Sequence, residues 1–272
     1  MLLSLLLALS QASVAIPPND HFDAAAELQT EHFASLETHF AAMQSAFERG
    51  SVSENELIDA YTVFYPQRAE KSDKLDKWVR QYPKSYYSHL VLGIYDAKLA
   101  ELLRGSDYTS QTPDSQLAAM DHWQTTAANE LLLSLKLNPR PYLSILHLLN
   151  IANWQGDDKA AADYVAMGNR LFPKNIRIRV RYLIHLEPRW GGSYPAMDAF
   201  IKHSKTEGAD SKILSGLEAI KYQDLGCVAW NADDLTTARA QFKRALELGS
   251  IAGADFSEHS LQCAQSFMSE NK

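Results

Sequence analysis

Between Pro141 and Pro173 the apolar positions fall at three- and four-residue intervals: Leu143, Ile145, Leu146, Leu148, Leu149 and Ala152, then, after a break, Ala161, Tyr164, Val165, Gly168 and Leu171. That spacing keeps one face of a helix apolar, whereas a half-exposed strand alternates every second residue. The break, Trp154-Gln155-Gly156-Asp157-Asp158, supplies a glycine suited to ending one helix and aspartates suited to capping the next. Pro173 stops the second run. The unit is therefore helix, turn, helix, stop.

Two apolar stripes on so short a unit cannot be buried without neighbours, so the unit should recur. A step of 34 residues toward the N-terminus carries Ala161, Val165 and Pro173 onto Ala127, Leu131 and Pro139. Further along, residues 225–249 place Leu225-Gly226 in a first helix and Ala238, Phe242 and Ala245 in a second. These units resemble the tetratricopeptide repeat, in which small residues let paired helices approach and a large residue fills the gap. The resemblance implies an all-α fold of stacked antiparallel helix hairpins, a tetratricopeptide-like solenoid, forming one domain over residues 21–272 with a C-terminal capping helix.

The remaining pattern fits this scheme. Phe33, Leu36, Phe40, Met43 and Phe47 predict one long amphipathic helix over residues 21–49, closed by Gly50. Ser53 and Glu56 have capping-box spacing for a helix through Phe64. Helices follow over 73–82, stopped by Pro83, and over 86–103, with Gly93 at a close-approach position; 104–115 is a polar loop. Ile176, Ile178 and Val180 alternate with Arg177, Arg179 and Arg181, which alone reads as an edge strand. The repeat register instead predicts a helix there, because the hairpins on either side need something to pack against. Phe256, Leu261, Ala264 and Phe267 predict a closing helix over 255–268.

Pro188-Arg189-Trp190-Gly191-Gly192-Ser193 is the most individual stretch. With its helical context it resembles the bacterial family catalogued as domain of unknown function 4034, which brings no activity with it. Paired glycines open backbone angles closed to other residues, and Ser193 can cap the next helix. Two readings are open: a hairpin corner anchored by a buried Trp190, or a nest of backbone amides that receives an anion or a partner carboxylate beside Arg189.

Residues 1–15 form an apolar run without charge, ending Ser13-Val14-Ala15, and read as a secretory signal followed by a Pro17-Pro18 linker over 16–20. The expected mature chain is periplasmic or secreted and has no membrane span. A net charge of -7 argues against nucleic-acid binding, which draws its affinity mainly from cations against phosphate. Cys227 and Cys263 lie about one repeat apart, so that in an exported protein they are either a disulfide or two small buried thiols. His32 and His39 stand two helical turns apart, too far for one metal ion, and no metal or cofactor site is expected.

No nucleophile elbow, phosphate loop or zinc-protease motif occurs, and the chain is read as non-enzymatic. The resemblance to tetratricopeptide arrays implies a concave groove for a protein or peptide partner, lined by Tyr87, Asn150, Asn153, Arg177 and Trp230, with Arg189 and Trp190 at the turn. One alternative is a periplasmic immunity or inhibitor protein directed against a toxin. Another is a hydrolase beside the Pro188–Ser193 turn, which requires a strongly perturbed carboxylate or histidine there.

Overall fold

The computed structural model describes residues 22–106 and 111–270, and among them it is helical throughout, with no strand. The expected signal (1–15) and linker (16–20) lie outside the described residues. Four helices come first: α1 (Ala24–Gln29), α2 (Phe33–Glu48), α3 (Glu54–Thr62) and α4 (Asp73–Gln81). The hairpins follow as α5 (Tyr86–Arg104) with α6 (Asp114–Leu137), and α7 (Tyr142–Gln155) with α8 (Asp158–Leu171). Then come α9 (Arg177–His185), a 3-10 turn (Pro188–Trp190), α10 (Tyr194–Thr206), and the hairpin of α11 (Ser211–Asn231) with α12 (Leu235–Ala252). Two helices close the chain, α13 (Ala254–Ser260) and α14 (Gln262–Glu270). No helix among the described residues is long and apolar enough to cross a membrane.

The hairpins are close-packed because glycine stands where their helices cross. A Cβ on Gly93 would lie 2.7 Å from the Leu131 Cγ, and one on Gly226 would lie 2.5 Å from the Phe242 ring. Leu131 and Phe242 are fully buried, so each fills the hollow its glycine leaves. The turn of the α7/α8 hairpin is built as its residues suggest. Gly156 takes the left-handed conformation (φ 66°) that ends α7, and the Asp157 carboxylate accepts the Ala160 amide to start α8. The first helices α5, α7, α9 and α11 stack in sequence, and residues 176–185 are helical rather than extended.

Two expected helices are each broken in two. The 21–49 segment divides at Thr30-Glu31-His32, where Glu31 has a positive φ of 59°. Lys74 donates to the Gln29 carbonyl at 2.9 Å and to Glu31 at 2.8 Å, and Lys77 reaches Glu31 at 2.7 Å. This docks the break on α4 and holds the Glu31 carboxyl down at about 2. The closing helix divides at the fully buried Leu261, and the Gln223 side chain takes up the freed groups, bonding the Ser260 carbonyl (2.9 Å) and the Ala264 amide (3.4 Å).

Two stretches far from α9 in sequence, α3 and the end of α13, meet at its start. Glu54, at the start of α3, accepts the backbone amides of Ile176 (3.0 Å) and Arg177 (2.8 Å) at the N-terminus of α9. The Arg177 side chain in turn bonds Asn55 of α3 and, at 2.6 Å, the Ser260 hydroxyl at the end of α13. Three distant segments therefore meet at one helix start.

Candidate functional site: the cleft between α5, α7 and α9

Helical spacing puts His147, Asn150 and Trp154 on one stripe of α7, Arg177, Arg181, Ile184 and His185 on one stripe of α9, and Lys98 and Glu101 on adjacent turns of α5. Where these stripes converge they enclose a cleft of about 210 Å³, walled by Trp154 and Trp190. The two indoles meet edge to face with centroids 6.3 Å apart, and the Arg104 guanidinium lies 5.1 Å over the Trp154 ring. Trp154 and Trp190 remain 41% and 54% exposed, so they leave apolar surface open on the cleft wall instead of filling the core.

The polar groups of the cleft are unevenly satisfied. Lys98 pairs with Glu101 at 2.7 Å, and His185 lies 3.2 Å from Asp158. Asn153 donates weakly to the Arg181 carbonyl at 3.5 Å, yet the side-chain oxygens of Asn150 and Asn153 are buried and accept no hydrogen bond from the described residues. The Arg181 guanidinium has no hydrogen bond or ion pair among the described residues. Partial desolvation lowers the pKa of that guanidinium, while the residue is exposed on the cleft wall. Burial, and then the charges of Lys98 and Arg181, push the neighbouring His147 down to about 3, so its imidazole is neutral.

Trp190 is held in place by the turn it belongs to. The amides of Trp190 and Gly192 donate to the Glu187 carbonyl (2.9 and 3.2 Å) and that of Gly191 to the Pro188 carbonyl (3.1 Å). Gly191 has a φ of 93°, and Gly192 passes so close to the Leu186 carbonyl that no Cβ fits. Ser193 caps α10 by accepting the Ala196 amide. The anion-nest reading of the turn is thus corrected, because these amides are already spent on carbonyls. The buried-tryptophan reading is corrected too, because Trp190 faces the cleft.

Arg189 anchors this turn from the other side. It pairs with Glu187 at 3.0 Å and with Asp224 of α11, and Asp224 also accepts the Tyr194 hydroxyl at 3.0 Å. Burial, and then the charge of Asp224, raise Glu187 to about 7.

The other residues singled out from sequence lie elsewhere. Tyr87 is at the far end of α5, where α2 packs and its ring meets Tyr86 at 5.1 Å. Arg177 is engaged with Asn55 and Ser260. Trp230 packs on Phe242 and Phe267 under α14. Cys227 and Cys263 are free thiols on the edge of that same cluster, within interacting reach of each other. Asn150, Asn153 and Trp190 do come together. Trp154 and Arg181 were not foreseen, although each stands four residues along its helix from a residue that was, Asn150 and Arg177. Among the described residues no cluster of three or more His, Cys, Asp or Glu is arranged to hold a metal.

Residues 23–159 match the family described as Domain of unknown function (DUF4034), which is half of the chain. The protein belongs to this family. The DUF4034 match spans α1 to α7 and so includes the α5 and α7 walls of the cleft, but ends before α9 and the Pro188–Ser193 turn. No curated protein and no solved structure matches the chain.

Proposed function

We propose that this protein is a non-enzymatic binding module that takes an extended polypeptide segment in the cleft between α5, α7 and α9. The observation that carries the reading is the pair of buried, unpartnered side-chain oxygens on Asn150 and Asn153, set one helical turn apart beside two exposed indoles. A primary amide can accept a backbone N–H and donate to a backbone carbonyl, so two of them in line, turned toward the cleft on binding, suit an extended chain. The indoles then supply rigid apolar surface at small entropic cost. Export of the protein, expected from residues 1–15, belongs to the same proposal.

The test is selection of a displayed random peptide library on the full chain. Enriched peptides should bind with dissociation constants near the micromolar range. Asn150→Ala should weaken them about tenfold, the consequence of losing one or two hydrogen bonds, with little change in melting temperature. Failure to enrich any peptide, or indifference to both Asn150→Ala and Asn153→Ala, defeats the proposal.

One observation favours a second reading, a hydrolase beside the turn: Glu187 is raised to about 7, as an acid catalyst requires. Against it, Glu187 is only 6% exposed and paired to Arg189, away from the cleft lining. Loss of a hydrolytic activity in Glu187→Gln, with peptide binding intact, would establish that reading instead.

A further inference from the structure

Of the four arginines between Arg177 and Arg189, three are committed to the fold. Arg177 bonds Asn55 and Ser260, the fully buried Arg179 bonds the Pro173 and Asn175 carbonyls, and Arg189 bonds Glu187 and Asp224. Arg181 alone of the four has no acceptor among the described residues. The acid whose field reaches it, Glu101, already serves Lys98. A guanidinium presents five N–H donors in a planar fork, and a carboxylate is the partner that fills two of them at once. The position of Arg181 adds a second constraint. It and Ile184 line both the Trp154/Trp190 cleft and a neighbouring cavity of about 360 Å³ bounded by Ile58, Asp59, Val180 and Ile220. A bound chain therefore has room on either side of Arg181, which suits a residue inside a segment better than the last residue of one.

We infer that the segment taken by the cleft carries an internal Asp or Glu whose side-chain carboxylate pairs with Arg181, while flanking apolar side chains rest on Trp154 and Trp190. The inference rests on the peptide-binding reading and narrows it to acidic segments. The protein itself is acidic, with net charge -7, so attraction to such a segment comes from this local site and not from the molecule as a whole. Lys98 lines the same cleft as Arg181, and Arg104 lies against the Trp154 ring that walls it.

The test uses amidated heptapeptide libraries, random except at the central position, passed over the immobilised full chain. The central residue is Glu in one library and Gln in another. A third has central Gln and a free C-terminal carboxylate. The Glu library should be retained about tenfold more than the Gln library, falling as sodium chloride rises. In Arg181→Gln that ratio should drop to about one while the Gln library is retained as before; Arg181→Lys should keep part of it. A melting temperature within about 2 °C of wild type shows that the variants are folded, on the usual scale of surface substitutions. Equal retention of the Glu and Gln libraries by the wild-type chain overturns the carboxylate inference and leaves the peptide reading standing. Preference for the free-acid library overturns the internal position, and retention of none overturns both readings together.

Discussion

Substituting Gly226 by alanine tests whether the hairpins are as close-packed as they look. The added Cβ would lie 2.5, 2.6 and 3.0 Å from three atoms of the Phe242 ring, where carbon atoms normally sit about 3.5–4.0 Å apart. The ring must retreat by roughly 1 Å to restore ordinary contact. It has nowhere to go, since Phe242 is fully buried with Phe267 at 4.9 Å and Trp230 at 6.2 Å behind it. Overpacking of this kind costs about 1–3 kcal/mol, and alanine regains about 1 kcal/mol over glycine within a helix. The net loss is about 0–2 kcal/mol, a fall in melting temperature of at most about 4 °C for a chain of this size. Thermal unfolding followed by circular dichroism on Gly226→Ala, Phe242→Leu and the double variant closes the cycle. The smaller leucine should make the alanine tolerable, so the double variant loses less than the sum of the singles, by about 1 kcal/mol. A Gly226→Ala protein more stable than wild type, or strict additivity, would refute the packing argument.

Two further expectations follow from titratable groups. Glu187 rises from 4.5 to about 7 on folding, so it binds its proton more tightly in the folded state. Its contribution to stability is therefore complete below about pH 4.5 and drains away as the pH climbs toward 7, by at most about 3 kcal/mol before solvent screening reduces it. In Glu187→Gln the stability profile should be flatter across that window, and parallel wild-type and variant profiles from urea titrations would contradict the assignment. Cys227, pushed up to about 12 by burial and then by Cys263, should exchange slowly at neutral pH. Under oxidised glutathione at raised pH both thiols should disappear together into one intramolecular bond, stabilising the chain by roughly 3–4 kcal/mol on the chain-entropy account. Stable mixed glutathione adducts, seen by mass spectrometry, would mean that the two side chains do not meet.

What could be read from the sequence was what local chemistry dictates. Gly156 and Asp157 announce the α7/α8 turn, Ser53 and Glu56 form the capping box they spell, and Gly93 and Gly226 sit where helices cross. The alternating 176–181 stretch became helical because neighbours cover it on more than one side, Ile178 packing at Gly168 of α8 while Val180 faces the cavity lined by Ile220 of α11. The breaks at Glu31 and Leu261 were not legible, since they are made by Lys74, Lys77 and Gln223, more than thirty residues away in sequence. The same holds for the site. Repeat register located Asn150 and Asn153, but it assumes an inner face open along its length, whereas α2 and α14 cover Tyr87 and Trp230. Trp190 misled in the opposite sense, because a tryptophan beside glycines was expected to be an anchor and is instead half of an exposed pair with Trp154.

The junction at the start of α9 changes what kind of object this molecule is mechanically. A row of repeats held only by adjacent contacts frays from its ends and tolerates gain or loss of a unit. Here Glu54 and Ser260, separated from Arg177 by 123 and 83 residues of chain, are fastened to the same turn of helix. Pulling on α3 or on the end of α13 loads the start of α9 directly. The stack behaves as a buckled belt, in which no notch can be added without moving the buckle, and its length is fixed by that closure.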